Sequence, residues 1–301
     1  MKRVLLISVA LATTLTAPIS SPVYNEALSL AQEKGFSQID NAPVSAPSLV
    51  PCRAAQEIRV TKNDADKIFK ASKLLEKKGK NFELWDTPHG RFWVASNNFN
   101  TLAWVLAEQE ANIYGDQARG IHPGDIVLDC GAHFGGYTRA ALDKGAKLVV
   151  AIEIAPENIE CLRQTFAAEI ASGKVIVYPK GVWDKDDKLI LQKHDQTWAD
   201  SIVMKGKEEG PTVLLTTIDK IVTELGLAQV DFIKADIEGA ERNALLGATK
   251  TLERFKPRMA IAAYHLKDDK SVLPTIVLKA QPAYKACLQG VGWGNETILF
   301  E

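Results

Sequence analysis

IVLDCGAHFGGYTRAALDKGAKLVVAIE, residues 126–153, holds two short apolar runs that each end in an acid, with a glycine-spaced turn and a helical segment between them. The runs, Ile126–Cys130 and Leu148–Ile152, are rich in branched residues and too apolar for strands with one wet face. They read as parallel strands buried on both sides. Tyr137 to Lys144 is rich in helix formers, and Gly145 suits a C-terminal cap. The unit is therefore strand, turn, helix, strand, with the right-handed crossover that this connectivity imposes. Gly131, Gly135 and Gly136 let the turn bend sharply and approach a ligand at the helix N-terminus. Glu153, at the tip of the second strand, can accept the hydroxyls of a ribose.

The glycine spacing decides between adenosine cofactors. A dinucleotide fingerprint needs a second glycine where a pyrophosphate passes, and that position is His133. The pattern is Asp, x, Gly, x, x, x, Gly, starting at Asp129, with bulky His133 and Phe134 in the middle. S-adenosylmethionine carries no phosphate and tolerates such a turn. Its expected lining is Asp129, Gly131, Ala132, His133, Phe134, Gly135 and Tyr137, with Glu153 and Ile154 at the second strand.

The chain has 301 residues, 46% hydrophobic and 24% charged, which suits one large α/β domain with an extension. With 36 basic and 37 acidic residues, the net charge of −1 gives no electrostatic footprint for a nucleic-acid partner. Cys52, Cys130, Cys161 and Cys287 have no metal spacing, so no metal site is assigned, and a divalent ion between Asp236 and His265 stays open, although nothing in the spacing demands it. Cys130 reads as a core residue, and a Cys52–Cys287 disulfide is conceivable in an oxidising compartment. Residues 1–21 resemble a secretory signal or signal anchor: Met1, Lys2 and Arg3 precede the apolar run Val4–Ala17, which is short for a membrane span. That segment suggests export or membrane association, whereas supply of the cofactor suggests access to the cytosol.

Residues 22–57 read as a proline-punctuated linker, 58–114 as a helix and hairpin extension, and 115–301 as the catalytic domain. In the extension, Asn63 or Asp64 is expected to cap a helix running to about Lys78. Asn81–Trp85 and Arg91–Ser96 should form a hairpin, and Asn100 should cap a helix carrying Leu102, Val105 and Leu106. These elements would wall the substrate side or cover one face of the sheet. Beyond Glu153, the sequence predicts a helix from Pro156 to about Ala171, a strand at Lys174–Tyr178, a hairpin strand at Leu189–Gln192 and a helix capped by Thr217. Then come a strand at Val230–Ala235 ending at Asp236, a helix from about Gly239, a strand at Met259–Ala263 before Tyr264 and His265, and final strands at Tyr284–Gln289 and Glu296–Phe300. Sheets of this order bring the ends of their central strands around one crevice, which places Asp236 and His265 near the cofactor turn. Methyl transfer needs alignment and a base for the acceptor proton. His265 is the candidate base on intrinsic pKa, Asp236 would hold the acceptor hydroxyl or orient the imidazole, and Glu238 completes the catalytic candidates. Trp183, Trp198 and Trp293 offer faces on which a sugar ring could stack, or plain packing surfaces.

VLDCGAHFGGYT, the KADIEGAE run Lys234–Glu241, Thr217–Ile221 and the strand leading to His265 resemble the FkbM family of S-adenosylmethionine-dependent methyltransferases. The resemblance runs from about Glu108 to the C-terminus. It implies a seven-stranded, mostly parallel class I methyltransferase fold (Rossmann-like, helices on both faces) and transfer to a hydroxyl of a sugar, glycan, polyketide or other secondary metabolite. It also implies cofactor contacts at Asp129, Gly131, Gly135 and Glu153, with Asp236 beside the methyl group. Family turns often carry a smaller residue at His133. Two other classes stay open: a NAD-dependent oxidoreductase, and an exported, non-catalytic binding protein on the same shell.

Overall fold

A computed structural model describes residues 49–52, 58–115, 117–194, 200–204, 206, 208–290 and 295–301. The segment 1–21 expected as a signal lies outside them, as do most of the expected linker, Trp198, Trp293 and most of the turn at 290–294. The described residues form one compact unit by their contacts.

In chain order, β1 (Val50–Pro51) precedes α1 (Lys62–Ala71), β2 (Lys73–Lys78), β3 (Phe82–Thr87), β4 (Gly90–Ala95) and α2 (Phe99–Glu110). The central unit is β5 (Ile126–Cys130), α3 (Gly136–Asp143) and β6 (Leu148–Ile152). Then follow α4 (Pro156–Thr165), α5 (Ala167–Ala171), β7 (Val175–Tyr178), β8 (Gly181–Val182), β9 (Asp187–Lys193), β10 (Glu208–Thr216) and α6 (Ile218–Glu224). The chain closes with β11 (Phe232–Ala235), α7 (Glu241–Leu246), α8 (Thr249–Phe255), β12 (Arg258–Ala262), α9 (Asp269–Ala280), β13 (Ala286–Gln289) and β14 (Thr297–Phe300).

The main sheet has eight strands in the order β1-β13-β14-β12-β11-β5-β6-β7. β14 runs antiparallel to β12 and β13, and the other pairings are parallel. Seven of these strands give the class I methyltransferase topology. The eighth, β1, comes from residues read as linker and pairs with β13 beside the Cys52–Cys287 disulfide. Side chains of the central strands alternate between two apolar layers. Leu128, Cys130, Val150 and Ile152 pack with Ile221, Leu252 and Leu273 on one face, while Val127, Val149, Phe232 and Ala260 pack with Tyr137 and Ala141 on the other. That two-sided burial is why the runs lack hydrophobic alternation.

The extension differs from the sequence expectation. The first helix ends at Ala71, where Ser72 is extended and its Oγ donates to the Ile68 carbonyl at 2.7 Å. Lys73–Lys78, expected as helix, is a strand paired antiparallel with β3. Cross-strand pairing overrides local helix propensity there. The helix N-cap is Thr61, and Asp64 accepts both its backbone N–H and its Oγ–H, closing a capping box. Phe92, Phe99, Leu102 and Leu106 pack on Phe134, Leu162 and Phe166, so β4 and α2 cover α3 and α4. The long helix expected after Pro156 breaks at fully buried Phe166 into α4 and α5. The helix expected from Gly239 begins at Glu241, because Glu238 and Gly239 both take left-handed backbone, at φ 54° and 96°. β9 and β10 form the expected antiparallel excursion.

Candidate active site

The turn after β5 and the tip of β6 make one rim of a cavity of about 920 Å³. Gly131 has φ +80°, and a Cβ there would stand 2.0 Å from the Asp236 carbonyl oxygen, so only glycine lets this turn abut the end of β11. Glu153 is fixed by three backbone donors: Ile154 and Ala155 N–H to Oε1, and His133 N–H to Oε2, each at 2.8 Å. Burial raises its carboxyl pKa, and those donors, with Lys234, oppose the rise. His133 has left-handed backbone at φ 52°, and its ring lies 3.7 Å from that of Phe134. Burial, helped by Lys234, pushes its imidazole down to about 3, so it is neutral.

Behind this rim stands a buried ion pair that the sequence reading passed over. Asp129 and Lys234 are cross-strand partners on adjacent β5 and β11, which aims both side chains at the same face. Lys234 Nζ lies 3.3 Å from Asp129 Oδ1 and donates to the Gly131 carbonyl at 2.8 Å. Asp129 Oδ2 accepts the Thr138 hydroxyl at 2.7 Å. Burial works to lower the Lys234 pKa, but the Asp129 and Asp236 carboxylates hold it above the ordinary value. A lysine inside the apolar run VDFIKA was a legible anomaly, since an unpaired ammonium does not survive burial.

Beside the Gly131 turn, the end of β11 carries Asp236. Its Oδ2 accepts the Tyr114 hydroxyl, and its Oδ1 accepts the Tyr264 hydroxyl at 3.0 Å. Burial would raise this carboxyl, yet His265, Lys234 and the two tyrosines hold it below the usual carboxylate range. His265 is almost fully enclosed. Its Nδ1 lies 2.9 Å from Glu241 Oε1, and its Nε2 lies 3.5 Å from both Glu238 Oε1 and Asp236 Oδ1. Burial alone would lower the imidazole pKa, but the surrounding acids raise it well above the ordinary value. Glu238 is raised by burial against the pull of His265. Asp236, Glu241 and His265 place ligand atoms within 4.8 Å of one another, spacing that also suits a divalent ion.

Of the residues expected from sequence, Gly131, Ala132, His133, Tyr137, Glu153, Ile154, Asp236 and Glu238 line the cavity. Asp129, Phe134, Gly135 and His265 stand one layer behind: Asp129 in the ion pair, Phe134 in the core, Gly135 against Phe166, and His265 in its acidic cage. The tryptophan expected near the substrate loops that is described, Trp183, is a core residue. Trp104, Glu108, Tyr114, Asn158, Lys234 and Tyr264 line the cavity without having been singled out.

The lining fits S-adenosylmethionine. Asn158 Oδ1 is buried without a hydrogen-bond partner among the described residues, beside Glu153 and Ile154, and offers an acceptor to the hydroxyl or amino hydrogens of an adenosine. His133 lines the cavity at the motif position where a dinucleotide turn carries its second glycine. The ammonium of Lys234 is turned toward backbone carbonyls and Asp129, while carboxyl groups face the cavity, as suits a cationic sulfonium.

Residues 129–283, just over half the chain, match the methyltransferase FkbM domain. No curated protein matches the sequence. Among solved structures, methyltransferase FkbM from Methylobacillus flagellatus is 19% identical, covering 69% of this chain and 56% of its own, with TM-score 0.48. The M. jannaschii tRNA m1G37 methyltransferase is 13% identical, with coverages of 75% and 55% and TM-score 0.37. A Streptococcus mutans protein in complex with SAH is 14% identical, with coverages of 60% and 89% and TM-score 0.38. The chain thus spans just over half the length of the first two. On the domain match, the chain belongs to the FkbM methyltransferase family, and its cofactor is S-adenosylmethionine.

Proposed function

We propose that this protein transfers the methyl group of S-adenosylmethionine to a hydroxyl oxygen of a sugar, glycan or secondary metabolite. The observation that carries the reading is the Asp236 carboxylate, fixed by Tyr114 and Tyr264 on the cavity wall that abuts Gly131. When bound, the cofactor supplies an electrophilic methyl on a positively charged sulfur. Glu153 and Asn158 would hold the adenosine, and the Gly131 turn would carry the methionine end. Asp236, kept ionised, would offset the positive charge of the sulfonium, and with the Tyr114 and Tyr264 hydroxyls it holds it orders the wall against which the acceptor oxygen is aligned for displacement. His265, held as an imidazolium by Glu241 and Glu238, acts as the counter-ion of Asp236 instead of as the base first assigned to it, because a protonated ring has no lone pair for a proton. Glu238 holds that cation in place.

The acceptor is a small molecule or glycan on this reading. A net charge of −1 shows no overall basic excess of the kind that marks a nucleic-acid partner. Among the described residues, no helix is long and apolar enough to cross a membrane. Calorimetry with S-adenosylmethionine, its demethylated product and NAD tests the class. Micromolar affinity for the first two and none for NAD is expected, and the reverse would move the protein to the oxidoreductases. Binding without transfer of labelled methyl into any extract fraction would favour a non-catalytic binding protein. Labelled product that is base-stable and sensitive to glycosidase identifies an O-methyl sugar, whereas label released by ribonuclease would reassign the acceptor.

A further inference from the structure

The wall facing the cofactor rim comes from α2, outside the residues that match the family domain. Trp104 and Glu108 lie one helical turn apart on it, and the indole Nε1 donates to Glu108 Oε1 at 3.1 Å. Among the described residues Oε2 accepts no hydrogen bond. Glu108 shares the cavity with Asp236 and Lys234 from the end of β11, Tyr114 from the loop after α2 and Tyr264 from the loop after β12. The two acids differ. Both oxygens of Asp236 are engaged by tyrosine hydroxyls, with His265 behind, so it is a poor proton acceptor. Glu108 is half-buried in the cavity wall beside exposed Trp104; its partial desolvation and the Asp236 charge push its carboxyl up to about 8, while Trp104 and Lys234 act in the opposite direction. A carboxyl of that basicity is suited to proton transfer near neutrality.

On the methyltransferase reading above, we propose that Glu108 is the group that takes the proton from the acceptor hydroxyl, with Trp104 as the residue that positions its carboxyl. The acceptor O–H bond breaks toward Glu108 Oε2 as the oxygen forms its bond to the methyl carbon. The C–S electron pair returns to sulfur, leaving a neutral thioether, and Glu108 then passes its proton to water. The arrival of the sulfonium, a cation, favours the ionised form of Glu108 before the step.

The test uses the full chain and labelled S-adenosylmethionine, with the acceptor pool of a cell extract, from pH 5.5 to 9.5. Glu108→Gln keeps the side-chain length and the acceptor for Trp104. It is expected to lose at least ~100-fold in transfer rate and to lose the alkaline-rising limb of the pH profile, with cofactor affinity by calorimetry within about twofold of wild type. Trp104→Phe, which removes the hydrogen bond that lowers the Glu108 pKa, is expected to shift that limb to higher pH, a change that a packing role would not produce. A Glu108→Gln rate within about threefold of wild type with the limb intact would overturn the assignment. So would a loss of cofactor affinity as large as the loss of rate, since Glu108 would then be a binding residue. If the wild type itself binds no S-adenosylmethionine, the methyltransferase reading fails first, a result distinct from either of these.

Discussion

The rim proposed to hold the cofactor comes almost wholly from one stretch, Ile126–Glu153, with the Glu153 carboxylate held by nearby backbone N–H groups, whereas the rim proposed for the acceptor gathers Trp104, Glu108, Tyr114, Asp236 and Tyr264 from far apart. Tyr114 and Asp236 are 122 positions apart, yet share a hydrogen bond. The first rim is set by local geometry: two strands, one turn and a glycine that nothing else can replace. The second exists only because α2 is laid over the crevice by packing on α3 and α4. Changes on the acceptor side should therefore alter chemistry and leave cofactor binding intact, while changes in the turn should abolish binding outright.

The largest effect expected is at the joint between the rims. Lys234→Met leaves Asp129 buried and unpaired and should cost about 3–5 kcal/mol in urea unfolding. Adding Asp129→Leu should recover most of that loss. If the single variant is as stable as wild type, the ion pair does not hold β5 to β11.

Next comes Glu153→Ala, expected to weaken S-adenosylmethionine binding by about 100-fold in calorimetry, since a charged acceptor of ribose hydroxyls is lost. Unchanged affinity would move the adenosine elsewhere.

A pH measurement sharpens the contrast further. The folded pKa of His265 lies above its unfolded value. Its imidazolium therefore contributes stability that is fully present below about pH 6.5 and is lost as pH rises through the folded pKa. Stability of His265→Gln should thus fall less steeply on the alkaline side than that of wild type, by about 1–3 kcal/mol in denaturation curves compared between pH 6 and 10. Parallel curves would remove the charge from His265. Smallest is Asn158→Ala, for which an affinity loss of about tenfold is expected, the worth of one hydrogen bond to the cofactor.

Much of this was legible in the chain. Ile126–Glu153 predicted its strands, turn and helix nearly to the residue, because each element there is decided by neighbours a few positions away. KADIEGAE placed Asp236 correctly at a strand end, and Lys234 in that run was a signal of a buried ion pair left unread. The extension was harder. Lys73–Lys78 is as good a helix sequence as a strand, and only pairing with β3 decides it. Glu108 was singled out by no motif.

The sequence by itself determined the fold class, the cofactor type and the carboxylates at both strand tips, because apolar runs, glycine spacing and motif residues act through local backbone geometry. Tertiary structure alone decided which residues face the cavity: that Asp129 stands behind it, that His265 is caged by Glu238 and Glu241, and that Glu108 and Trp104 line it. Those outcomes depend on desolvation and on charges brought together across long sequence separations, and neither is written in any one stretch of the chain.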